Sequence, residues 1–181
     1  MKDLKDFNIP FVGLKQGNHV FEYEIENTFF EAFDFDEFHN SQLKVHLDFL
    51  KKSTLFELHF VVSGTVNLNC DVSLEAFDLG IDGIFDLIVK FGPEYNDDSD
   101  EILILPHEEY QINVSQFIYE LVILSIPSKR VHPKVLDGTM ESEALNKLKE
   151  LEVNKESPAD SKEEIDPRWD KLKGLITEKN I

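Results

Sequence analysis

An α+β fold is predicted: mainly an antiparallel β-sheet or a partly open barrel, with two short helices and a flexible tail that ends in a short helix. Three observations predict it. Apolar and polar residues alternate strictly over at least five segments between Phe21 and Phe91, the pattern of strands with one face in and one face out. Val114, Phe117, Ile118, Leu121 and Val122 instead recur at helical spacing. Past Arg130 the composition changes, and residues 131–164 are highly charged and hold no aromatic residue.

In chain order, Phe21, Tyr23 and Ile25 alternate with Glu22, Glu24 and Glu26, giving the first strand. Asn27-Thr28 with Glu31 three residues later has capping-box spacing and opens a short helix carrying Phe29, Phe30 and Phe33. Leu43, Val45, Leu47 and Phe49 form the next strand, and Phe56, Leu58, Phe60 and Val62 follow the break at Lys51-Lys52-Ser53 as a β-hairpin. A second reversal is expected at Ser63-Gly64-Thr65, leading to Val66, Leu68 and Cys70. From Leu79 to Phe91 the odd positions are apolar, and Gly80 and Gly83 suggest a bulge or bend. Asn113 is the expected N-cap of the second helix, with Gln116 at its third position, and Pro127 ends it.

Residues 131–164 contain no aromatic residue and read as a flexible or partly helical linker, in which Glu143 and Lys147 support a helix around Leu145, Leu148 and Leu151. In residues 165–181, Asp166 is a good N-cap and Pro167 suits the first helical position, so that Trp169, Leu172 and Ile176 share one face with Leu175 at its edge. The expected organisation is therefore a β-rich domain over residues 1–130, a linker over 131–164 and a terminal helix over 165–181.

Composition limits the function. The 181 residues hold 36 Asp and Glu against 18 Lys and Arg, a net charge of −18, and 15 Phe within a hydrophobic fraction of 41%. Residues 1–130 carry 9 basic and 24 acidic residues, a net of −15; the remainder carries 9 basic and 12 acidic, a net of −3. Such a surface disfavours nucleic-acid binding by broad phosphate neutralisation, and disfavours anionic membranes for the same reason. The N-terminus has no apolar stretch of signal-peptide length and no run approaches a membrane span, so the expectation is a soluble cytoplasmic protein.

Catalytic and metal motifs are not found. The single Cys70 falls on the apolar face of its strand while His46 and His59 fall on polar faces, so Cys70 reads as a buried structural cysteine instead of a nucleophile with a base. The six histidines show no HxH or HExxH spacing, and a surface metal site between His46 and His59 would have too few ligands. Asn96-Asp97-Asp98-Ser99-Asp100-Glu101 lacks the turn glycine of a calcium loop and reads as a solvated acidic loop. No glycine-rich phosphate loop, dinucleotide fingerprint or GxSxG elbow is present, and no cofactor is implied. Of the cluster Phe29, Phe30, Phe33, Phe35 and Phe38, most is expected in the core, with Phe35 and Phe38 the exposed members.

Three segments carry a family resemblance. GTVNLNCDVSLEAF contributes Gly64, Cys70, Asp71 and Leu74. INVSQFIYELVILSIPSKRVHP contributes Glu120 and a Leu-x-x-Pro ending at Pro127, followed by basic and histidine residues. IDPRWDKLKGL contributes Asp166, Pro167, Arg168, Trp169, Leu172 and Leu175. In this order and spacing they resemble the YceD family, bacterial and plastid proteins associated with accumulation of the large-subunit ribosomal RNA. The early FNIPFVGLKQGNHVFEYEI and NTFFEAF are similar to the variant found in Bacteroidetes-like bacteria. Where one version of the family has paired cysteines, Ser73 stands in place of a second one, so zinc is not carried over.

The resemblance implies a role in ribosome biogenesis and no known reaction. It fits an acidic domain that binds a basic ribosomal protein or assembly factor, with Arg168, Trp169, Leu172 and Leu175 of the tethered helix on a second surface. The same helix is equally suited to docking on its own sheet. Two rivals stand beside this reading: direct ribosomal RNA binding through Lys129, Arg130, Lys134, Lys171, Lys173 and Lys179, and an enzyme whose site has no sequence motif.

Overall fold

The computed structural model describes residues 4–151. In order it contains β1 (Asn8–Ile9), β2 (Gly17–Glu26), α1 (Asn27–Glu31), β3 (Asn40–Lys51), β4 (Leu55–Asn69), β5 (Ala76–Gly92), β6 (Asn96–Ser99), β7 (Ile102–Pro106), β8 (Ile112–Asn113), α2 (Ser115–Leu124), α3 (Pro133–Leu136) and α4 (Glu143–Leu151). Short 3-10 turns, Leu4–Phe7 and Phe11–Gly13, flank β1. The chain divides into two compact units, Met1–Leu145 and Asn146–Ile181.

The main sheet has the order β2-β3-β4-β5-β7-β6 and does not close. Its neighbours are antiparallel except β5 and β7, which run parallel, and β1 pairs with β8 in a separate two-stranded ribbon. The fold is thus α+β with a mostly antiparallel open sheet, the first of the two architectures the alternation predicts.

Period-two patterning decides which way the sheet faces. Leu43, Val45, Leu47 and Phe49 of β3, Phe56, Leu58, Phe60, Val62, Val66 and Leu68 of β4, and Phe77, Ile81, Leu87 and Val89 of β5 are all buried. Fully burying one such side chain contributes about 1.5–3 kcal/mol. Phe29 and Phe30 of α1, Ile9 and Ile112 of the small ribbon, and Ile118, Leu121 and Val122 of α2 belong to the same core. The intervening residues, among them Glu22, Glu24 and Glu26 of β2 and Asp78, Asp82 and Asp86 of β5, are exposed.

Several local expectations are corrected. Ser63-Gly64-Thr65 is no reversal: β4 runs straight through it in register with both β3 and β5, and the chain turns after Cys70 instead. Gly64 has φ +144, and a Cβ there would lie 2.2 Å from the Gln42 carbonyl oxygen and 2.9 Å from Leu43 Cα. Close backbone approach, and not a turn, requires this glycine. Gly80 and Gly83 make no bulge, since β4 and β5 pair without a break. Gly83 serves the covering layer, because a Cβ there would meet Ser125 Oγ at 2.0 Å.

The helix starts also differ. In α1 the cap position is Glu26, without a side-chain cap bond, and the Asn27 amide donates to the Phe38 carbonyl at 3.2 Å. In α2 the cap position is Val114, and Asn113 stands one residue earlier, its Oδ1 accepting from Ser115 N at 2.9 Å and Ser115 Oγ at 2.5 Å. Gln116 points along the helix, donating to Glu120 at 2.8 Å. Phe38 is only 3% exposed, contrary to expectation, because its ring packs edge-on to Phe30 at 4.9 Å. Phe35 is half-buried. Within the stretch 131–164, α3 and α4 are formed, the latter carrying the predicted Glu143, Lys147 and leucine pattern.

Gly64→Ala is expected to lower the unfolding free energy by about 2–4 kcal/mol, from strained φ and overpacking together. Gly80→Ala, where nothing lies within 4 Å of the added carbon, serves as the control and should change it by less than about 1 kcal/mol. Urea titrations followed by circular dichroism measure both; equal midpoints would refute the close-approach account.

Candidate functional site

Residues from two of the three motif segments meet at the turn between β4 and β5. The turn closes through Cys70 N to the Glu75 carbonyl at 2.9 Å and Leu74 N to the Cys70 carbonyl at 3.0 Å. Against it lies the basic stretch that follows α2. Asp71 N donates to the Arg130 carbonyl at 2.8 Å, and Arg130 N donates back to Asp71 Oδ2 at 2.7 Å. The Arg130 guanidinium reaches Glu37 Oε2 at 2.9 Å and Asp71 Oδ1 at 3.3 Å. The Glu37 hydrogen bond, ahead of the Asp71 charge, raises the guanidinium pKa above its ordinary value.

Cys70 forms the floor of this lock and is fully buried. Its Sγ accepts from Val72 N and Ser73 N at 3.4 Å each and from His132 N at 3.3 Å. Burial pushes the thiol up, but the Ser73 side chain and the amides of Ser73, His132 and Val72 together outweigh it, bringing the pKa down to about 7. His132 contributes its backbone here; its ring lies against Phe77 at 5.3 Å, and its Nδ1 accepts from Lys134 N at 3.0 Å to cap α3. The thiol is thus a structural acceptor. His39, the imidazole lining the same shallow depression, is engaged with Asn69 Oδ1 at 3.0 Å.

Other motif residues lie elsewhere. Gly64 sits inside β4, and Glu120 sits on α2, beside a separate cleft. Pro127 follows the end of α2 and delivers the chain towards Arg130. Leu74 belongs to the turn but points outward, 71% exposed with φ 62, a left-handed conformation that costs a leucine about 1–2 kcal/mol. Asp166, Pro167, Arg168, Trp169, Leu172 and Leu175 lie outside the described residues.

The cleft beside Glu120 has a volume of about 620 Å³ and presents Asp97, Asp100, Glu109 and Glu120, with no lysine, arginine or histidine among the described residues of its lining. Its chemistry is that of a cation-attracting depression. Tyr95, at its rim, donates to Asp97 at 3.2 Å and has its pKa raised by burial and then by that carboxylate. His46 and His59 are not direct partners across the hairpin, because His46 faces Val61 and His59 faces Asp48. They pair with carboxylates instead, His46 near Glu22 and Asp48, and His59 with Asp86 at 2.6 Å. Among the described residues no group of three or more histidine, cysteine or acidic side chains is placed to hold a metal ion. No helix of the described residues is long and apolar enough to cross a membrane.

The family model for the large ribosomal RNA subunit accumulation protein YceD matches residues 58–176. The chain belongs to the YceD family. The match takes in Cys70, Asp71 and Arg130 of the lock, all three motif segments and most of β4, and leaves Glu37, β2, α1 and β3 outside it. No curated protein and no solved structure matches the chain. The family's description ties the protein to accumulation of the large-subunit ribosomal RNA and names no reaction.

Sequence reasoning did not foresee the pairing of Asp71 with Arg130 or the part played by Glu37. The one available signal was the basic pair Lys129-Arg130, two residues after Pro127, in a chain where cations are scarce.

The folded-state pKa of Cys70, about 7, lies below the ordinary 9.0, so the thiolate's stabilising contribution is complete above pH 9 and is lost as pH falls through 7. The stability advantage of the native chain over Cys70→Ala is therefore expected to widen from pH 7 to pH 9. Urea midpoints across that window measure it, and a constant difference would show that Sγ carries no charge there. For Asp71→Asn and Arg130→Ala, a double-mutant cycle on urea unfolding should give a coupling of about 1 kcal/mol or less, as befits a partly exposed pair joined through one guanidinium contact.

Proposed function

We propose that this chain is a non-enzymatic, cytoplasmic ribosome-biogenesis factor that supports large-subunit ribosomal RNA accumulation by binding a basic ribosomal protein or assembly factor. The observation that carries the reading is the charge of residues 1–130, −15 from 9 basic and 24 acidic residues, combined with the engagement of Arg130. That guanidinium, central to any basic patch after α2, is already held by Glu37 and Asp71. A phosphate would have to compete with two carboxylates for it, so the surface favours a cationic protein over bare RNA.

The terminal segment completes the proposal. Arg168 and Trp169 are residue types enriched at binding hot spots, and Leu172 and Leu175 add apolar contact. Carried on the charged stretch 131–164, they engage a second surface of the same partner. The acidic cleft beside Glu120 suits a cationic ligand, since among the described residues its lining carries four carboxylates and no basic side chain.

The test is binding of the full chain to purified basic large-subunit ribosomal proteins and to large-subunit ribosomal RNA, alongside affinity capture from native lysate. Salt-sensitive binding to protein and little to RNA is expected, and Arg168→Ala with Trp169→Ala should weaken it by roughly tenfold or more. Retrieval of no large-subunit component or assembly factor, by either the full chain or one truncated at Glu164, would falsify the biogenesis reading.

A further inference from the structure

β2 is an edge strand. Over Gly17–Glu26 it pairs with β3 along one side, and among the described residues no strand pairs with the other. A free edge of this length presents a row of backbone donors and acceptors open to an added strand. Here the edge also borders a groove of about 740 Å³, walled by β2, by the segment Leu4–Ile9 and by the start of α1. The groove has an aromatic floor: Phe7 stacks on Tyr23 at 5.1 Å and packs against Phe29 at 5.0 Å. Burial pushes the Tyr23 pKa up to about 12, keeping the ring neutral.

Charge selects the occupant. Glu22, Glu24 and Glu26 recur along β2 at every second residue, and Asp6 lines the opposite wall; the lining contains no basic side chain. Residues two apart on a strand are about 6.6–6.8 Å apart, the repeat at which lysine or arginine recurs when it alternates with other residues in an extended peptide. The same carboxylates oppose pairing of β2 with the β2 of a second copy, and they oppose RNA. Edge carboxylates commonly guard against aggregation; a guard made of acid excludes like strands and admits a basic one. The alternate side chains of such a strand, on its other face, would meet the aromatic floor, which suits apolar residues there.

We propose that the free edge of β2 receives an extended, basic segment of the partner protein as an added strand. This rests on the reading that the acidic body binds a basic protein, and it names where and how. The mode is β-strand addition, in which main-chain hydrogen bonds supply affinity and alternate side chains supply specificity. The edge lies outside the residues matched by the family model.

The probe is a capped synthetic peptide alternating lysine with valine, titrated into the full chain, beside the same peptide with alternate backbone amides N-methylated. N-methylation leaves the charge and removes the ladder donors. The expected result is binding of the first peptide, roughly tenfold or greater loss on N-methylation, and slowed amide exchange along residues 18–26. E22Q/E24Q/E26Q should weaken binding about tenfold, whereas D78N/D82N/D86N, the same charge change on β5, should weaken it far less. Circular dichroism checks that both variants are folded.

Equal loss in the two triple variants, or no effect of N-methylation, overturns the edge proposal while leaving the acidic body as a binder of basic proteins. Failure of the unaltered chain to bind any purified basic large-subunit ribosomal protein overturns that broader reading instead. Protection of residues 18–26 by large-subunit ribosomal RNA in place of the peptide overturns the proposal, as does protection already present in the free chain and abolished by deleting residues 152–181, which would make the chain's own terminal segment the occupant.

Discussion

Most of the described fold answers to the need to keep water from one face of a sheet whose central strands are long. β3, β4 and β5 are 12, 15 and 17 residues long, and a strand of such length exposes an apolar strip that no short helix covers alone. The chain therefore spreads its cover thinly. The 3-10 turns around β1, the five-residue α1, the β1–β8 ribbon and α2 each shield part of the strip, and Phe rings fill the spaces between them. Lys51 ties one end of this patchwork down, donating from Nζ to the carbonyls of Phe11 and Leu14 at 2.7 and 2.9 Å. Glycine appears where cover and sheet come too close for a side chain, at Gly83 beneath Ser125.

With one face given to the core, the other is free to carry charge, and the fold uses it for acid. The excess of carboxylates costs stability through self-repulsion, yet few are spent on internal pairing. The most concentrated pairing is at the turn after β4, where Asp71 and Glu37 hold Arg130 and where Cys70 collects three amides around its sulfur. That lock draws the chain leaving α2 back to the far end of the central hairpin. It explains why two family motifs separated in sequence belong together: one supplies the turn and the other the segment it grips.

The sheet was legible because alternation is a direct imprint of a half-buried strand, and β3 and most of β4 follow it residue by residue. Gly64 was misread because Ser-Gly-Thr imitates a turn locally, although the even-numbered apolar parity of Phe60 and Val62 passes through to Val66 and Leu68 unbroken. Parity over the longer window reports the strand; the tripeptide alone does not. Burial of Phe38 was not legible either, since it depends on the ring of Phe30, which only the helix brings to it. The Asp71–Arg130 contact spans 59 positions, and neither residue carries a local mark of its partner. Cys70 was legible as buried from its parity, but the three amides that lower its pKa come from the turn and from His132, visible only in three dimensions.

The pairing of β1 with β8 has a consequence for synthesis. Asn8 and Ile9 pair with residues 112 and 113, and Asn113 holds both Asn8 and Leu4 while accepting from Ser115 N at the start of α2. A ribosome releases the chain from its N-terminus, so the first strand made must wait for one of the last strands of the body before it can settle. The hairpins from β2 to β5 need only near neighbours and can form meanwhile. Until residue 113 emerges, Asn8 and Ile9 lack their strand partners, although Phe7 and Phe11 already have Tyr23, Phe29 and Phe56 to pack on. The nascent body is then a sheet with its cover incomplete, exposed to whatever lies at the mouth of the tunnel.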